Sequence, residues 1–175
     1  MPKLFVLQVL FLTSAHAADF RALDFGSSCA SIEEAEMRTG SEKIPSSSTA
    51  IDLRKFRGRA FDHEATIVYQ CVRGALIGGS FVFPATSPED SLQVMHDLYD
   101  KIAMERGVAE VDSSPWRGIT DTKDHAQRIP KTDIKYLVVW QTGGSRLTLA
   151  LESETRRGAM HSQVLMFVAP PKMSR

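Results

Sequence analysis

One stretch of the sequence constrains the fold more than any other, the run ATIVYQCVRGALIGGSFVFP at residues 65–84. Its first half alternates in polarity, with Ile67, Tyr69 and Cys71 on one side, and this period of two is typical of a half-buried β-strand. The dipeptide Arg73-Gly74 interrupts the alternation, and its glycine favours a tight turn. The run therefore predicts a β-hairpin at the centre of the fold.

The second strand of this hairpin, residues 75–83, places Ile77, Gly79 and Phe81 on one predicted face. Two consecutive glycines, Gly78-Gly79, indicate a β-bulge or the close approach of another backbone. The functional alternative is a glycine-rich phosphate loop, which needs a helix directly after it. Because Pro84 and a strand-like run follow instead, we interpret the glycines as structural.

The first residues have the layout of a secretory signal peptide. Lys3 supplies a positive charge, an apolar run covers residues 4–12, and Ala15-His16-Ala17 is a small-x-small cleavage site. An uncleaved membrane anchor is the alternative, but the apolar run is shorter than a membrane-spanning helix. The sequence predicts a signal peptide at 1–17, cleaved after Ala17, and a periplasmic or secreted protein. The remaining residues, 18–175, are predicted to form one domain.

Cys29 and Cys71 are the two cysteines of the chain. Cysteines of an exported protein usually pair, because the compartment beyond the membrane is oxidising. A disulfide between them would close a loop of some 40 residues and stabilise the fold by roughly 4 kcal/mol. A redox-active thiol is the alternative, but there is no Cys-x-x-Cys motif, and apolar neighbours of Cys71 disfavour a reactive thiolate. We therefore predict a structural disulfide.

Two helices are predicted. The sequence Ser31-Ile32-Glu33-Glu34 has the form of a capping box and would open a helix over 32–39, which ends at Gly40. A longer helix follows Ser87-Pro88 and ends at Gly107. Its apolar side chains recur at helical spacing, and we interpret them as core residues that pack on the sheet. This stripe consists of Leu92, Met95, Leu98, Tyr99 and Ile102.

Further strands are predicted on both sides of the longer helix. Residues 41–49 are polar and predict a loop, and residues 50–56 predict a strand before a charged turn, RGRAFDHE. Alternating apolar residues predict three strands at the end of the chain, at 134–141, 146–152 and 160–168. The fold class that follows is α+β, an antiparallel sheet with two helices packed on one face.

The longest stretch without periodicity runs over residues 108–133, and loops of this length are often functional. It contains Trp116 and Arg117, residue types that frequently anchor protein interfaces. We therefore predict Trp116 and Arg117 as binding residues. The structural alternative is that Trp116 folds back and covers an edge of the sheet.

Charge and motif content favour some function classes over others. The chain has 21 basic and 21 acidic residues without a basic stripe, so no nucleic-acid partner is predicted. No apolar run after the leader is long enough to cross a bilayer. His63, His96, His125 and His161 lack the spacing of zinc ligands, and catalytic serine motifs are missing. We predict no catalytic residue, no metal and no cofactor.

The order of the predicted elements resembles a known architecture. A helix and three strands occur twice, which resembles the tandem αβββ-αβββ arrangement of β-lactamase inhibitor protein and of SmpA/OmlA-type outer-membrane assembly lipoproteins. The halves would be 18–84 and 85–170. The chain also resembles an uncharacterised branch of exported bacterial proteins, through the segment FRALDFGSSCASIEEAE and the hairpin positions Tyr69, Gly74, Leu76, Gly79 and Phe83. The lipid-attachment cysteine of the assembly lipoproteins is missing.

The resemblance implies a mode of action, because the named families bind other proteins and do not catalyse reactions. It transfers no site residue. The function predicted is an exported, non-catalytic, protein-binding or envelope-associated module, whose sheet face or 108–133 loop contacts another exported or envelope protein. Two alternatives stay open. One is a small periplasmic hydrolase or metal-dependent enzyme that uses His63, His125 or His161, and the other is a carrier of a small apolar ligand.

Overall fold

The computed structural model describes residues 20–21, 23–45, 52–113, 135–141, 144–156 and 159–171. They form an α+β structure, in which an antiparallel sheet of eight strands is combined with two α-helices. Helix α1 spans Ile32–Arg38 and follows a short 3-10 turn at Cys29–Ser31, and helix α2 spans Pro88–Arg106. The predicted signal peptide lies outside the described residues.

The eight strands are numbered in chain order. They are β1 Glu42–Ile44, β2 Asp52–Ala60, β3 His63–Val72, β4 Ala75–Phe83, β5 Val111–Asp112, β6 Lys135–Gln141, β7 Arg146–Arg156 and β8 Ala159–Ala169.

The strand order across the sheet is β1-β2-β3-β4-β8-β7-β6-β5, and every neighbouring pair is antiparallel. Along the chain, one helix and four strands are followed by a second helix and four strands. The last strands of the two sets, β4 and β8, pair at the centre, where Phe81 lies opposite Met166. The sheet is therefore completed by a contact between residues far apart in sequence.

The central hairpin is confirmed. Strands β3 and β4 are joined by Arg73 and Gly74, whose φ angles of 52° and 78° are both in the left-handed region of a type I′ turn. Ile67, Tyr69 and Cys71 are buried on one face, as the alternation predicted. The predicted disulfide between Cys29 and Cys71 is also present, with an S–S distance of 2.01 Å. It joins the start of α1 to β3.

The inward face of β4 differs from the prediction at one position. The pairing shifts between Gln70 and Cys71, so that Cys71 lies opposite Leu76 and Gln70 lies opposite Gly78. Ile77 is the extra residue of this β-bulge and is exposed, while Leu76 is buried in its place. The prediction that Ile77 shares a face with Gly79 and Phe81 is therefore wrong, because the one inserted residue shifts the alternation by one position.

The glycine at position 79 is explained by a side chain. Phe20 is fully buried and its ring lies against Gly79, where a Cβ atom would overlap the ring carbons. The ring also meets Tyr69 edge-to-face, with a centroid distance of 5.0 Å. The predicted close approach is thus real, but an aromatic ring from the N-terminal lead-in makes it instead of a second backbone.

Helix α2 begins and ends as the sequence predicted. The Ser87 side chain accepts a hydrogen bond from the Asp90 backbone nitrogen, and Pro88 occupies the first helical position. Gly107 ends the helix with a φ of 78°. The predicted apolar stripe faces the sheet, with Leu92, Met95, Leu98 and Ile102 buried and Tyr99 partly buried.

Helix α1 begins differently from the prediction. Ser31 has helical dihedral angles and its side chain makes no cap hydrogen bond, so the predicted capping box is wrong. The 3-10 turn intervenes, and the Ser28 side chain accepts from Ala30 N instead. The backbone at Cys29 is tied to the turn between β3 and β4 through a bond from Cys29 N to Gly74 O, and this tertiary contact replaces the local cap.

Three other segments also differ from the predictions. The polar loop contains strand β1, and the charged turn is mostly strand, because β2 continues to Ala60 and only Phe61 and Asp62 form the turn. The long predicted loop contains strand β5. Residues 114–134 lie outside the described part of the chain.

The core lies between the two helices and one face of the sheet. Buried residues from both helices, such as Ile32 and Leu98, belong to a single apolar cluster with the inward side chains of β3, β4, β6, β7 and β8. Both helices therefore pack on the same face. Among the residues described, no helix is long and apolar enough to span a membrane.

Candidate functional site

The sheet has a second apolar surface on the face opposite the helices. Strand alternation points residues 137 and 139 of β6, 148 and 150 of β7, and 165 and 167 of β8 away from the core. We call the apolar residues on this side the outer patch, which consists of Val68, Val82, Val111, Leu137, Val139, Ala150, Leu165 and Phe167.

The pairing register makes the outer patch continuous. Val111 lies opposite Val139, and Ala150 lies between Leu137 and Leu165 on its two neighbouring strands. Residues directly opposite each other in antiparallel strands have Cβ atoms about 5 Å apart, close enough for side-chain contact. Val82 of β4 lies opposite Leu165, so the patch crosses the sheet from β4 to β5 as one surface.

Part of the outer patch is accessible to solvent. Phe167, Leu137 and Val111 have exposed fractions of 39%, 38% and 44%. These three and Val72, which alternation places on the same side, are half of the large exposed apolar side chains among the residues described. Contiguous exposed apolar surface of this kind is typical of sites that bind another protein.

Other members of the patch are inaccessible but do not belong to the core. Val68, Val139, Ala150 and Leu165 are each less than 10% exposed, and they are separate from the apolar cluster under the helices. Side chains that are already shielded in the free protein add no surface for a partner, so the accessible part of the patch is Phe167, Leu137 and Val111.

Charged residues follow the outer patch at its β2 side. Lys55, Arg57 and Arg59 occupy alternate positions on β2, and Glu64 lies opposite Arg59. Glu42 of β1 lies opposite Arg57. This side of the outer face is consequently a polar rim with both signs of charge, which suits the edge of an interface better than its centre.

The residues that the sequence predicted as binding contacts, Trp116 and Arg117, lie outside the described residues. That prediction therefore stays a prediction. The segment that contains them leaves strand β5 and returns to strand β6, and those strands carry Val111 and Leu137 of the outer patch.

The structure describes some of the histidines that follow the predicted signal peptide. His63 Nε2 lies 3.7 Å from Asp97 Oδ2, and His96 Nδ1 lies 3.5 Å from Asp100 Oδ2. His125 and the side chain of His161 fall outside what the structure describes. Within the described ranges, no three His, Cys, Asp or Glu residues are close enough together to hold a metal ion.

A buried ionic cluster under α1 was not predicted. Glu36 is 1% exposed, its Oε1 lies 2.7 Å from Arg21 Nε, and it accepts a hydrogen bond from the Tyr69 hydroxyl. Burial, and next the Glu36 carboxylate, raise the pKa of Tyr69 far above its usual range. The cluster fastens α1 and the lead-in to β3. The sequence contained one indication of this cluster, because Glu36 follows the inward residue Ile32 by four positions and so lies on the same face of the helix.

Comparison with protein-family models, with curated proteins and with solved structures finds no match to this chain.

Proposed function

We propose that this protein is an exported, non-catalytic binding module whose outer patch contacts another exported or envelope protein. The observation that carries the proposal is the apolar surface on the face of the sheet that the helices leave uncovered. Phe167 is its most prominent accessible member, and aromatic residues of this size dominate the binding energy of many interfaces.

Export is supported by the signal-peptide layout of residues 1–17 and by the disulfide that joins Cys29 to Cys71. Disulfides of this kind persist in oxidising compartments such as the periplasm. Trp116 and Arg117 are proposed as further contacts, since their segment begins and ends beside the outer patch.

A tandem origin of the two halves is part of the same proposal. Each helix is followed by four strands. The last strands of the two halves, β4 and β8, occupy equivalent positions on the two sides of the sheet centre. This arrangement supports the resemblance to β-lactamase inhibitor protein and to SmpA/OmlA-type lipoproteins. The short edge strands β1 and β5 would then be the strands that each half has in addition to the three of the αβββ arrangement.

The proposal is tested with a charge placed on the outer patch. Phe167→Lys would put a cation at its centre, and Met104→Lys is the matched control, because Met104 is 80% exposed on α2. Each immobilised protein is incubated with envelope extract, captured proteins are quantified by mass spectrometry, and the main partner is purified for Kd measurements. Loss of a central aromatic anchor costs about 2 kcal/mol or more, which is roughly a 30-fold weaker Kd.

We expect the wild type and Met104→Lys to capture the same partner with equal Kd, and Phe167→Lys to lose it while its thermal unfolding stays cooperative. Equal capture by all three proteins would overturn the role of the outer patch.

A further inference from the structure

The N-terminal lead-in, at residues 20–21 and 23–26, packs into the core although it directly follows the predicted signal peptide. Two residues separate the predicted cleavage site after Ala17 from Phe20. Phe20 is 1% exposed, and its ring contacts the Tyr69 ring at a centroid distance of 5.0 Å. A fully buried side chain therefore lies just beyond a bond that a signal peptidase is predicted to hydrolyse.

The backbone of the lead-in is folded back on itself and bonded to the sheet. Phe20 N donates a hydrogen bond to Leu23 O at 3.0 Å, and Leu23 N donates to Phe20 O at 3.1 Å. Gly26 N donates to Leu76 O of β4 at 2.8 Å. Because three residues of extended chain reach at most about 11 Å, the bond after Ala17 is held close to the folded domain while Phe20 is docked.

Arg21 fixes the docked lead-in through a second set of contacts. Its Nε lies 2.7 Å from Glu36 Oε1, and its guanidinium donates to Arg59 O at 3.0 Å and to Thr39 Oγ1 at 3.1 Å. Its φ of 55° is left-handed, a conformation that a residue with a side chain keeps only where its surroundings hold it. Helix α1, the residue that follows it and strand β2 therefore hold the chain next to the cleavage site.

These contacts oppose the opening that proteolysis requires. Hydrolysis of the Ala17–Ala18 amide consumes one water molecule and leaves a carboxylate on Ala17 and an ammonium group on Ala18. A protease needs access to the chain on both sides of this bond, so cleavage of a folded chain follows the population of its locally opened form. Opening here would remove Phe20 from the core and separate Arg21 from Glu36.

We propose that docking of the lead-in blocks removal of the signal peptide, so that cleavage after Ala17 must come before Phe20 docks. The fold provides an interval for cleavage, because Tyr69 and Gly79, which contact the Phe20 ring, belong to β3 and β4 and follow much later in the chain. The lead-in cannot dock until both strands have formed. This inference rests on the proposed export of the protein and adds to it an order of processing and folding.

The test uses the full chain, folded with its disulfide formed, and a purified signal peptidase in mild detergent. A peptide of residues 9–26 contains the same bond without the docking contacts, and mass spectrometry measures both cleavage rates. We expect the folded chain to be cleaved about tenfold more slowly than the peptide, or slower still. A flexible Gly/Ser linker of about ten residues, inserted between Asp19 and Phe20, should restore the rate of the peptide, because it moves the bond away from the docked ring.

Two substitutions separate local opening from a general loss of stability. Phe20→Ala removes the docked ring and should accelerate cleavage of the folded chain about tenfold, relative to a peptide with the same substitution. Leu98→Ala is the matched control, because it also removes a fully buried side chain, but from α2, and should leave cleavage slow. Circular dichroism verifies folding, and the wild-type and linker chains carry the test if either substituted chain is unfolded.

Equal rates for the folded wild type and the peptide, or a linker variant that stays resistant, would overturn the proposal. Acceleration by Leu98→Ala as large as that by Phe20→Ala would also overturn it. A peptide that is not cleaved would remove the predicted signal peptide, and with it the export on which this inference rests. All of these results would leave the outer patch unaffected, because that surface is tested by protein capture.

Discussion

The two halves of the chain cover the sheet in different ways. Helix α2 has 19 residues and buries six of them, whereas helix α1 has seven residues and buries Ile32, Ala35 and Glu36. Burial of apolar surface stabilises by about 25 cal/mol per Å², so the shorter helix gains much less from packing. The disulfide and the ion pair between Glu36 and Arg21 are found at the shorter helix.

This difference teaches that one core can be closed by two kinds of interaction. The second half relies on apolar packing, with Trp140 buried and its Nε1 donating to Gly107 O at 3.1 Å. The first half adds a covalent bond and a buried charged group to its apolar packing. Removing either kind should therefore affect the halves unequally.

The largest effect is expected from removing the disulfide. The double variant Cys29→Ala and Cys71→Ala should lose about 4 kcal/mol of unfolding free energy, because the cross-link closes a loop with a sequence separation of 42. Urea denaturation measures the loss. Hydrogen exchange should accelerate most at the amides of α1, and equal acceleration in α1 and α2 would contradict the difference between the halves.

An intermediate effect is expected from two tyrosine hydroxyls, one buried and one half-buried. Tyr69→Phe should cost about 2 kcal/mol, because Glu36 loses a donor inside the core. Tyr99→Phe is the matched variant of the second half, where the hydroxyl donates to Asp112 Oδ2 at 3.1 Å in a half-buried position. It should cost about 0.5–1 kcal/mol. Chemical denaturation at pH 7 compares the two, and equal losses would remove the distinction.

The same pair of tyrosine variants gives a pH test. The pKa of Tyr69 is raised in the folded state. The protonated hydroxyl therefore contributes fully to the free energy of unfolding below the unfolded pKa of about 10. Above that pH the unfolded chain ionises first, so the contribution falls as the pH rises. The stability difference between wild type and Tyr69→Phe should therefore shrink from pH 9 to pH 11. A constant difference would show that the hydroxyl is not protected from ionisation.

The smallest effect is expected at the helix starts. Ser87→Ala removes the side-chain acceptor for Asp90 N and should cost about 1 kcal/mol. Ser31→Ala should cost under about 0.5 kcal/mol, since this serine makes no cap hydrogen bond. Thermal unfolding of both variants measures the contrast. A larger loss for Ser31→Ala would restore the capping box that the sequence predicted.

The sequence was informative where structure is set locally. The hairpin, the disulfide pairing and the limits of α2 follow from alternation, cysteine count and caps within a few residues. Predictions from the sequence were wrong where contacts between distant residues determine the local structure. Ser31 does not cap α1 because the backbone at Cys29 bonds to the turn between β3 and β4, and Ile77 is displaced by a bulge. Strands β1 and β5, at three and two residues, are too short to show a period.

The candidate surfaces were predictable only in part. A sheet face was expected as a contact surface, but the register that aligns Val111, Val139 and Phe167 on that face needed the strand order. Sequence reasoning placed the binding residues at Trp116 and Arg117, where aromatic and cationic types are adjacent, and the described residues do not test that choice.

The pairing of β4 with β8 has a consequence for how the chain reaches its native state. Gly79 pairs with Val168, so the middle of the sheet can form only after β8 has been synthesised. Until then, the edge of β4 that faces away from β3 has no strand to pair with in its own half. Contacts over such sequence separations slow folding and expose the chain to aggregation. We therefore expect truncation before β8 to yield insoluble protein, even though the hairpin and the disulfide remain encoded.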